Sequence, residues 1–507
     1  MSDWKPKFNP WIIAFTVMIG TFMEVLDTSI ANVALPHIAG SIGSTIEEAT
    51  WMSTSYLVAN AIVLPLTGWI SSNFGRKNFL LICTLIFTIS SVFCGFSTSL
   101  SQLVFFRILQ GIGGGAMQPV AQTILTESFP IEKRGLAMAF YGLGVVVAPI
   151  LGPIVGGWLT DAYSWRYCFY INLPVGIIAM IASWYVLEDP PGLRQKTGSI
   201  DYVGFLLLCL WVSCLELAMD LGNTRDWLEN QNIALLFMGA VVGLLVWILW
   251  ELSHSSPIVD LTVFRDRTFS VSTILITVFG GVLYGSTTLA PLFLQQVLGY
   301  PAYEAGVAVA SRGVGAMGAM LLVGPLMAKV DARIFVILGF FFTGVSNNWL
   351  AAFPREIAMS DFTWPNIISG IGIGFIFVPL STIANQKIAA AKIGSATGLF
   401  NLMRNLGGSA GIALATTMLS RYSQSRHAQL GVHISDLNPA LAHYQAALEP
   451  QFGERWIAVV YNLMRGQIAV LSYMDAYHTM ALLAFGCVPL CFLLRKPEKG
   501  AAAGGMH

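Results

Sequence analysis

The chain has 507 residues, of which 55% are hydrophobic and only 11% charged, with a formal net charge of zero and a mean hydropathy of +0.68. A soluble protein of this length carries roughly 25% charged residues, so a soluble globular fold is excluded, and the balanced charge gives nucleic acid no footing. Apolar runs of about 20 residues recur along the chain, each long enough to cross a ~30 Å hydrocarbon core. The composition is that of an all-α, polytopic membrane protein in contact with lipid.

The opening MSDWKPKFNP leads straight into a full-length apolar segment, and no cleavable signal peptide is expected. Spans are predicted near 11–34, 49–72, 78–97, 103–127, 135–160, 166–187, 201–220, 231–251, 268–290, 303–328, 331–352, 363–385, 396–420 and 471–494, fourteen in all. With fourteen spans, all ten lysines and seven arginines (76, 134, 194, 265, 267, 333 and 495) fall on the side shared by the termini. The short loops opposite hold only Arg166, Arg225 and Arg355. Positive charge marks the cytoplasmic side, so both termini are predicted to be cytoplasmic. Between spans 13 and 14, residues 421–470 are expected to form short amphipathic helices outside the membrane, with Asn438 as an N-cap. The seven cysteines all lie in apolar runs, which predicts small hydrophobes packed between helices rather than disulfides.

The chain repeats itself. "QGIGGGAMQP" (110–119) in span 4 answers "SGIGIGFIFVP" (369–379) in span 12, so that Gly111 matches Gly370 and Gly113 matches Gly372. Gly135 matches Gly394 at the same offset, and Gly68 matches Gly324 at nearly the same one. Spans 1–6 therefore repeat as spans 9–14, the plan of the major facilitator fold. The predicted division is 1–190 for the first six-helix half, 191–255 for an inserted hairpin with its linkers, and 256–507 for the second half.

Carboxylates inside such a run are costly and mark an ion or substrate path. On span 1, Glu24, Asp27, Thr28 and Ala31 fall on one face at about 100° per residue. On span 4, Arg107, Gly111, Gly114, Gln118 and Gln122 form a polar stripe that lipid would not tolerate. Span 13 adds Asn401, Arg404, Asn405 and Gly408, and span 2 adds Asn60. These define a candidate proton-coupling group (Asp27, Arg107, Glu24) and a candidate substrate cavity (Asn60, Gln118, Gln122, Asn401, Arg404). Asp27 is the deepest acid of span 1 and the expected principal coupling carboxylate; a fixed Asp27–Arg107 packing pair is the alternative. Glu216 and Arg312 remain open between local pairing and function. An aromatic, methionine-rich cavity suits bulky apolar compounds.

Span 5 reads "GLGVVVAPILGPIVGGWLTD", with Ala148, Gly152 and Gly156 at every fourth position for close helix approach and Pro149 and Pro153 as a bend. No metal or nucleotide cofactor is expected. His427, His433 and His443 have no usual ligand spacing, and no G-x-x-x-x-G-K-[ST] loop occurs. A membrane-embedded enzyme is thereby disfavoured.

"LDTSIANVALP", "RILQGIGGG", "APILGPIVGGW" and "WRYCFYINLPVG" together resemble the fourteen-helix drug/proton antiporters of the major facilitator superfamily. Asp27 matches the acid of that branch's first-helix motif and Arg107 the base linked to proton transfer. Pro149, Gly152, Pro153, Gly156 and Gly157 match the antiporter motif, which implies exchange. The resemblance implies a secondary transporter, with protons as coupling ion and hydrophobic drugs as cargo. In the superfamily's cytoplasmic loop motif Gly68, Gly75, Arg76 and Lys77 match, but Ser72 stands where an aspartate is usual. "DTSIANVALPHIAGSIG", "PIVDLTVFRDRTF" (257–269) and the long outer segment are similar to EmrB-type inner-membrane pumps. That implies multidrug efflux and antibiotic resistance, a periplasmic adaptor of the EmrA type and an outer-membrane channel of the TolC type. A proton-coupled symporter or facilitator of the same fold is the other reading.

Overall fold

The computed structural model describes residues 6–190, 201–254, 257–327, 329–354, 357–389, 392–432, 434 and 439–494. Asn438 and His433, named above, lie outside them, as do Arg194, Arg355, Arg495, Lys5, Lys196, Lys496 and Lys499 and the side chains of Pro153 and His443. In chain order the first half holds α1 (Pro10–Ile42), α2 (Ile46–Ala49), α3 (Trp51–Phe74), α4 (Arg76–Phe96), α5 (Leu100–Ser128), α6 (Ile131–Ala162), α7 (Tyr167–Tyr170) and α8 (Asn172–Val186). The hairpin is α9 (Tyr202–Gly222) and α10 (Gln231–Ser253). The second half holds α11 (Arg267–Leu292), α12 (Ala302–Leu326), α13 (Ala332–Leu350), α14 (Met359–Ala384), α15 (Ile393–Gly431), α16 (Pro439–Phe452) and α17 (Trp456–Cys491).

Apolar length makes these helices, and local chemistry ends them. Asn9 caps α1, its side chain accepting from the Trp11 N–H at 3.0 Å with Pro10 in the first turn, and Gly43 stops it at φ 74°. Ser99, Asp201 and Asp266 cap α5, α9 and α11 through their side chains. Among the described residues eleven helical segments are long and apolar enough to cross a membrane. A helix stands at each of the fourteen expected spans, but α5, α13 and α15 fall outside the eleven. Their polar inward residues, Arg107, Gln118, Asn347, Asn401 and Arg404 among them, dilute the apolar signal.

Packing repeats pair by pair. The contacts α1–α6, α3–α5, α4–α5 and α4–α8 return as α11–α15, α12–α14, α13–α14 and α13–α17. The glycine matches explain how. A methyl on Gly111 would meet the Tyr56 carbonyl and one on Gly370 the Arg312 carbonyl; Gly113 lies against Cys83 and Phe87, and Gly372 against Gly339 and Thr343. The halves join through α3–α15 and α6–α12, with α5–α15 and α6–α14 adding to the seam. There the other matched glycines meet each other. Gly68 lies on Gly394 and Ser395, and Gly324 lies on Gly135, Leu136 and Ala139. The hairpin packs by α9 on both α3 and α15.

Residues 421–470 differ from the expectation of separate short helices. No proline interrupts 421–431 or 456–470, so α15 and α17 continue past their expected ends, and among the described residues α16 and a short 3-10 turn at Gly453–Arg455 lie between them. A 2.9 Å contact between His427 and Tyr461 ties the two extensions, and Arg426 of the α15 extension donates at 2.8 Å to Asp475, inside the expected last span.

Candidate functional site

The acids of α1 sit at the centre of the first half with unlike surroundings. Asp27 is 1% exposed and Glu24 4%. Asp27 Oδ2 accepts from Arg107 Nη1 at 2.7 Å, and Oδ1 accepts from Gln110 Nε2 at 2.9 Å and Asn172 Nδ2 at 2.6 Å. Arg107 donates further to the Met52 carbonyl and to Gln110 Oε1, and stacks 4.2 Å from the Tyr56 ring. Every partner of this buried pair belongs to the first half. A buried ion pair holds when its other donors and acceptors find partners; here both oxygens of Asp27 are bonded, and Arg107 bonds through Nε and Nη1.

Glu24 has no ion-pair partner within bonding distance among the described residues. Its Oε1 accepts from the Tyr56 hydroxyl at 3.0 Å and Asn60 Nδ2 at 3.3 Å, and its Oε2 from Gln118 Nε2 at 2.8 Å. Gln118 in turn accepts at Oε1 from Arg404 Nη2 of α15 at 2.6 Å. Two further amide contacts cross between the halves at this level, Asn401 to Gln122 at 3.0 Å and Asn405 to Asn60 at 3.5 Å. The five residues expected to line a cavity are thus gathered with Glu24 at the seam, and Asp27 stands one turn away.

The antiporter-motif residues of α6 serve close approach to α1. Gly152 lies against Ser29, whose hydroxyl donates to the Pro149 carbonyl at 3.1 Å, and Gly156 lies against Ile30. Gly157 faces open space. The loop motif lies apart from the carboxylates. Gly75 turns the chain at φ 84°, Arg76 pairs with Glu127, and the Lys77 backbone N–H donates to Asp189. These basic residues bind within their own half.

Gln110, Asn172 and Tyr56 complete the Asp27 site and were not predicted. Gln110 follows Arg107 by three residues on one helix face, and Asn172 lies inside the "WRYCFYINLPVG" motif; both signals were present. The open residues also find places. Glu216 meets Ser409 of α15 and Asp220 accepts from Thr54 of α3 at 2.5 Å, so α9 presents one acid to each half. Arg312 donates to Thr287 at 2.6 Å and Ser286 at 3.4 Å, while its Nε and Nη2 have no partner among the described residues. An apolar groove of about 420 Å³ between α4 and α8, lined by Ile82, Leu85, Ile181 and Trp184, lies among outward-facing residues and not at the acids.

The sequence pattern of the Major Facilitator Superfamily matches residues 17–412. The multidrug export protein EmrB of Haemophilus influenzae is 38% identical over 463 residues, covering 89% of this chain and 90% of that protein. EmrB of Escherichia coli (strain K12) is 35% identical across the full length of both. The solved proton:xylose symporter XylE superposes with a TM-score of 0.60 at 15% identity, covering 96% of each chain. That likeness carries the fold alone.

Proposed function

The chain belongs to the major facilitator superfamily and is a multi-pass membrane transporter, not an enzyme; from that premise we propose that it is a proton-driven antiporter exporting hydrophobic, multidrug-type compounds. The arrangement of the two acids carries this reading. Asp27 is sealed with Arg107 inside one half, while Glu24 is bonded through an amide to a cation of the other half. A movement of the halves therefore changes the surroundings of Glu24 directly, and those of Asp27 through α1. A carboxylate whose neighbours change with conformation takes up and releases a proton in turn. One proton crossing 100 mV supplies about 2.3 kcal/mol, enough for roughly a fifty-fold substrate gradient.

The fourteen-span topology, two six-helix halves around a hairpin, and cytoplasmic termini belong to the same proposal, supported by the charge distribution and the repeated packing. In that orientation the seam at Gly68–Gly394 and Gly324–Gly135 closes the cytoplasmic end, and export requires it to open. The same proposal sets the chain in the inner membrane as the pump of a tripartite assembly, with a periplasmic adaptor of the EmrA type and an outer-membrane channel of the TolC type, as the resemblance of its motifs to EmrB-type pumps implies. The extended ends of α15 and α17, with Ile457, Tyr461 and Leu463 exposed, offer the adaptor an apolar face.

Proteoliposomes under an imposed pH gradient test the reading. Antiport predicts that a hydrophobic dye moves against the direction of proton flow, and that adding the dye accelerates dissipation of the gradient. Movement of dye and protons in the same direction, or dye flux indifferent to the gradient, overturns it.

A further inference from the structure

The amide of Gln118 joins an acid of one half to a base of the other, and its two ends are chemically unlike. An ionised carboxylate only accepts hydrogen bonds, and a guanidinium only donates. With Glu24 ionised, both demands are met at once: Nε2 donates to Glu24 Oε2 at 2.8 Å, and Oε1 accepts from Arg404 Nη2 at 2.6 Å. Arg404 has little else across the seam. Its other bond is to the adjacent Asn405 at 3.4 Å, its ring neighbour is Phe377, and its Nε has no partner among the described residues.

Protonation of Glu24 reverses one demand. Its Oε1 already receives two donors, from Tyr56 and Asn60, so the proton is directed to Oε2, where it faces the Gln118 N–H. The amide meets a donor there only by turning over, and it then presents its N–H to the Arg404 guanidinium. Donor faces donor, and the bond across the seam is lost. We propose that Gln118 is a positioning residue that converts the charge of Glu24 into making or breaking the Arg404 contact between halves. This rests on the proton-coupled reading above and names the part that links proton to movement. Asn60 repeats the device more weakly, donating to Glu24 while accepting from Asn405 at 3.5 Å.

The titratable and charged groups facing Glu24 are Asp27 on α1, Tyr56 on α3, Arg107 on α5, Tyr141 on α6 and Arg404 on α15. Arg107 is committed to Asp27 at 2.7 Å. Among the described residues facing Glu24, Arg404 is therefore the cation contributed by the other half, and its distance from Glu24 varies with the seam.

Double spin labelling tests the relay without substrate or gradient. Nitroxides at Phe74→Cys on α3 and Ile334→Cys on α13, both exposed, report the separation of the halves once the seven native cysteines are replaced. In lipid nanodiscs the two-state distance distribution of the parent should shift on acidification by about tenfold or more in population ratio, as loss of a bond to a charged group implies. Glu24→Gln places an amide donor against Gln118 and should hold the low-pH distribution at every pH. Gln118→Met keeps the side-chain length without an amide and should abolish the titration.

A parent distribution indifferent to pH, or a full titration persisting in Gln118→Met, overturns the proposal. If Gln118→Met does not fold, infrared difference spectra with amide-labelled glutamine decide. An amide band that shifts in step with the carboxyl band absent from Glu24→Gln supports the relay, and an unmoved amide band overturns it. A parent that exports against a proton gradient while its distances ignore pH sinks the relay alone. A parent whose distances titrate, with that titration lost in Gln118→Met, but which shows no gradient-driven export sinks the antiport reading and upholds the relay.

Discussion

In the first half Gly111 lies against the Tyr56 carbonyl, and in the second Gly370 lies in the same way against Arg312. The backbones match, yet the side chains they carry do opposite things. Tyr56 stacks on an arginine already paired with Asp27. Arg312, at the position of Tyr56, is a buried cation facing Ser286, Thr287 and Tyr477 with no carboxylate among them. The counterpart of Arg107 is Asn366, and α11, the counterpart of α1, carries no acid at all. Close helix approach is a matter of shape and has been kept in both halves. Ionisable chemistry is a matter of function, and the two acids are confined to the first. One moving charge site needs only one half to hold it and another to answer it.

The largest effect that would test this contrast is at Asp27. Removing one member of a buried pair leaves the other uncompensated and costs about 3–5 kcal/mol. Asp27→Asn is therefore expected to lower thermal stability strongly as well as to end proton-driven export. Asp27→Asn combined with Arg107→Gln should regain most of the stability and none of the export. Export returning with stability would reduce the pair to packing.

A middle-sized effect is expected at the shared glycines. Gly111→Ala and Gly370→Ala each force a methyl onto a carbonyl, and overpacking of this kind costs about 1–3 kcal/mol. Denaturation of the two variants should show losses alike within about 0.5 kcal/mol, which is near the scatter of independent sites. A large disparity would mean that the repeat is one of sequence more than of packing.

The smallest effect is expected at Arg312 and has the opposite sign to that at Asp27. Arg312→Met gives up its bonds to Thr287 and Ser286, worth about 1.5–3 kcal/mol for a bond to a charged group, and removes a buried guanidinium whose Nε and Nη2 have no partner among the described residues and whose desolvation costs several kcal/mol. The variant should melt no lower than the parent. A loss as large as that of Asp27→Asn would show that Arg312 has a charged partner and that the halves are closer in chemistry than in this structure.

Hydropathy and periodicity in the sequence were enough to anticipate a helix at each expected span and the faces bearing Glu24, Asp27, Arg107 and Arg404, because each of these is a property of residues a few positions apart. The glycine matches were visible as spacing, but their use was not: Gly68 and Gly324 meet Gly394 and Gly135, the members of the other matched pair, across the seam. Nor could spacing show that α15 and α17 run on past the expected membrane ends to meet at His427 and Tyr461. The division of labour between the two acids was decided by tertiary structure alone. Asp27 and Glu24 share one helix face, and only the approach of α8 with Asn172, and of α15 with Arg404, makes one a sealed pair and the other a contact between halves. Partners 145 residues from Asp27, or reached from Glu24 through an amide 94 residues on, are chosen by how helices cross, and that geometry leaves no periodic trace in the chain.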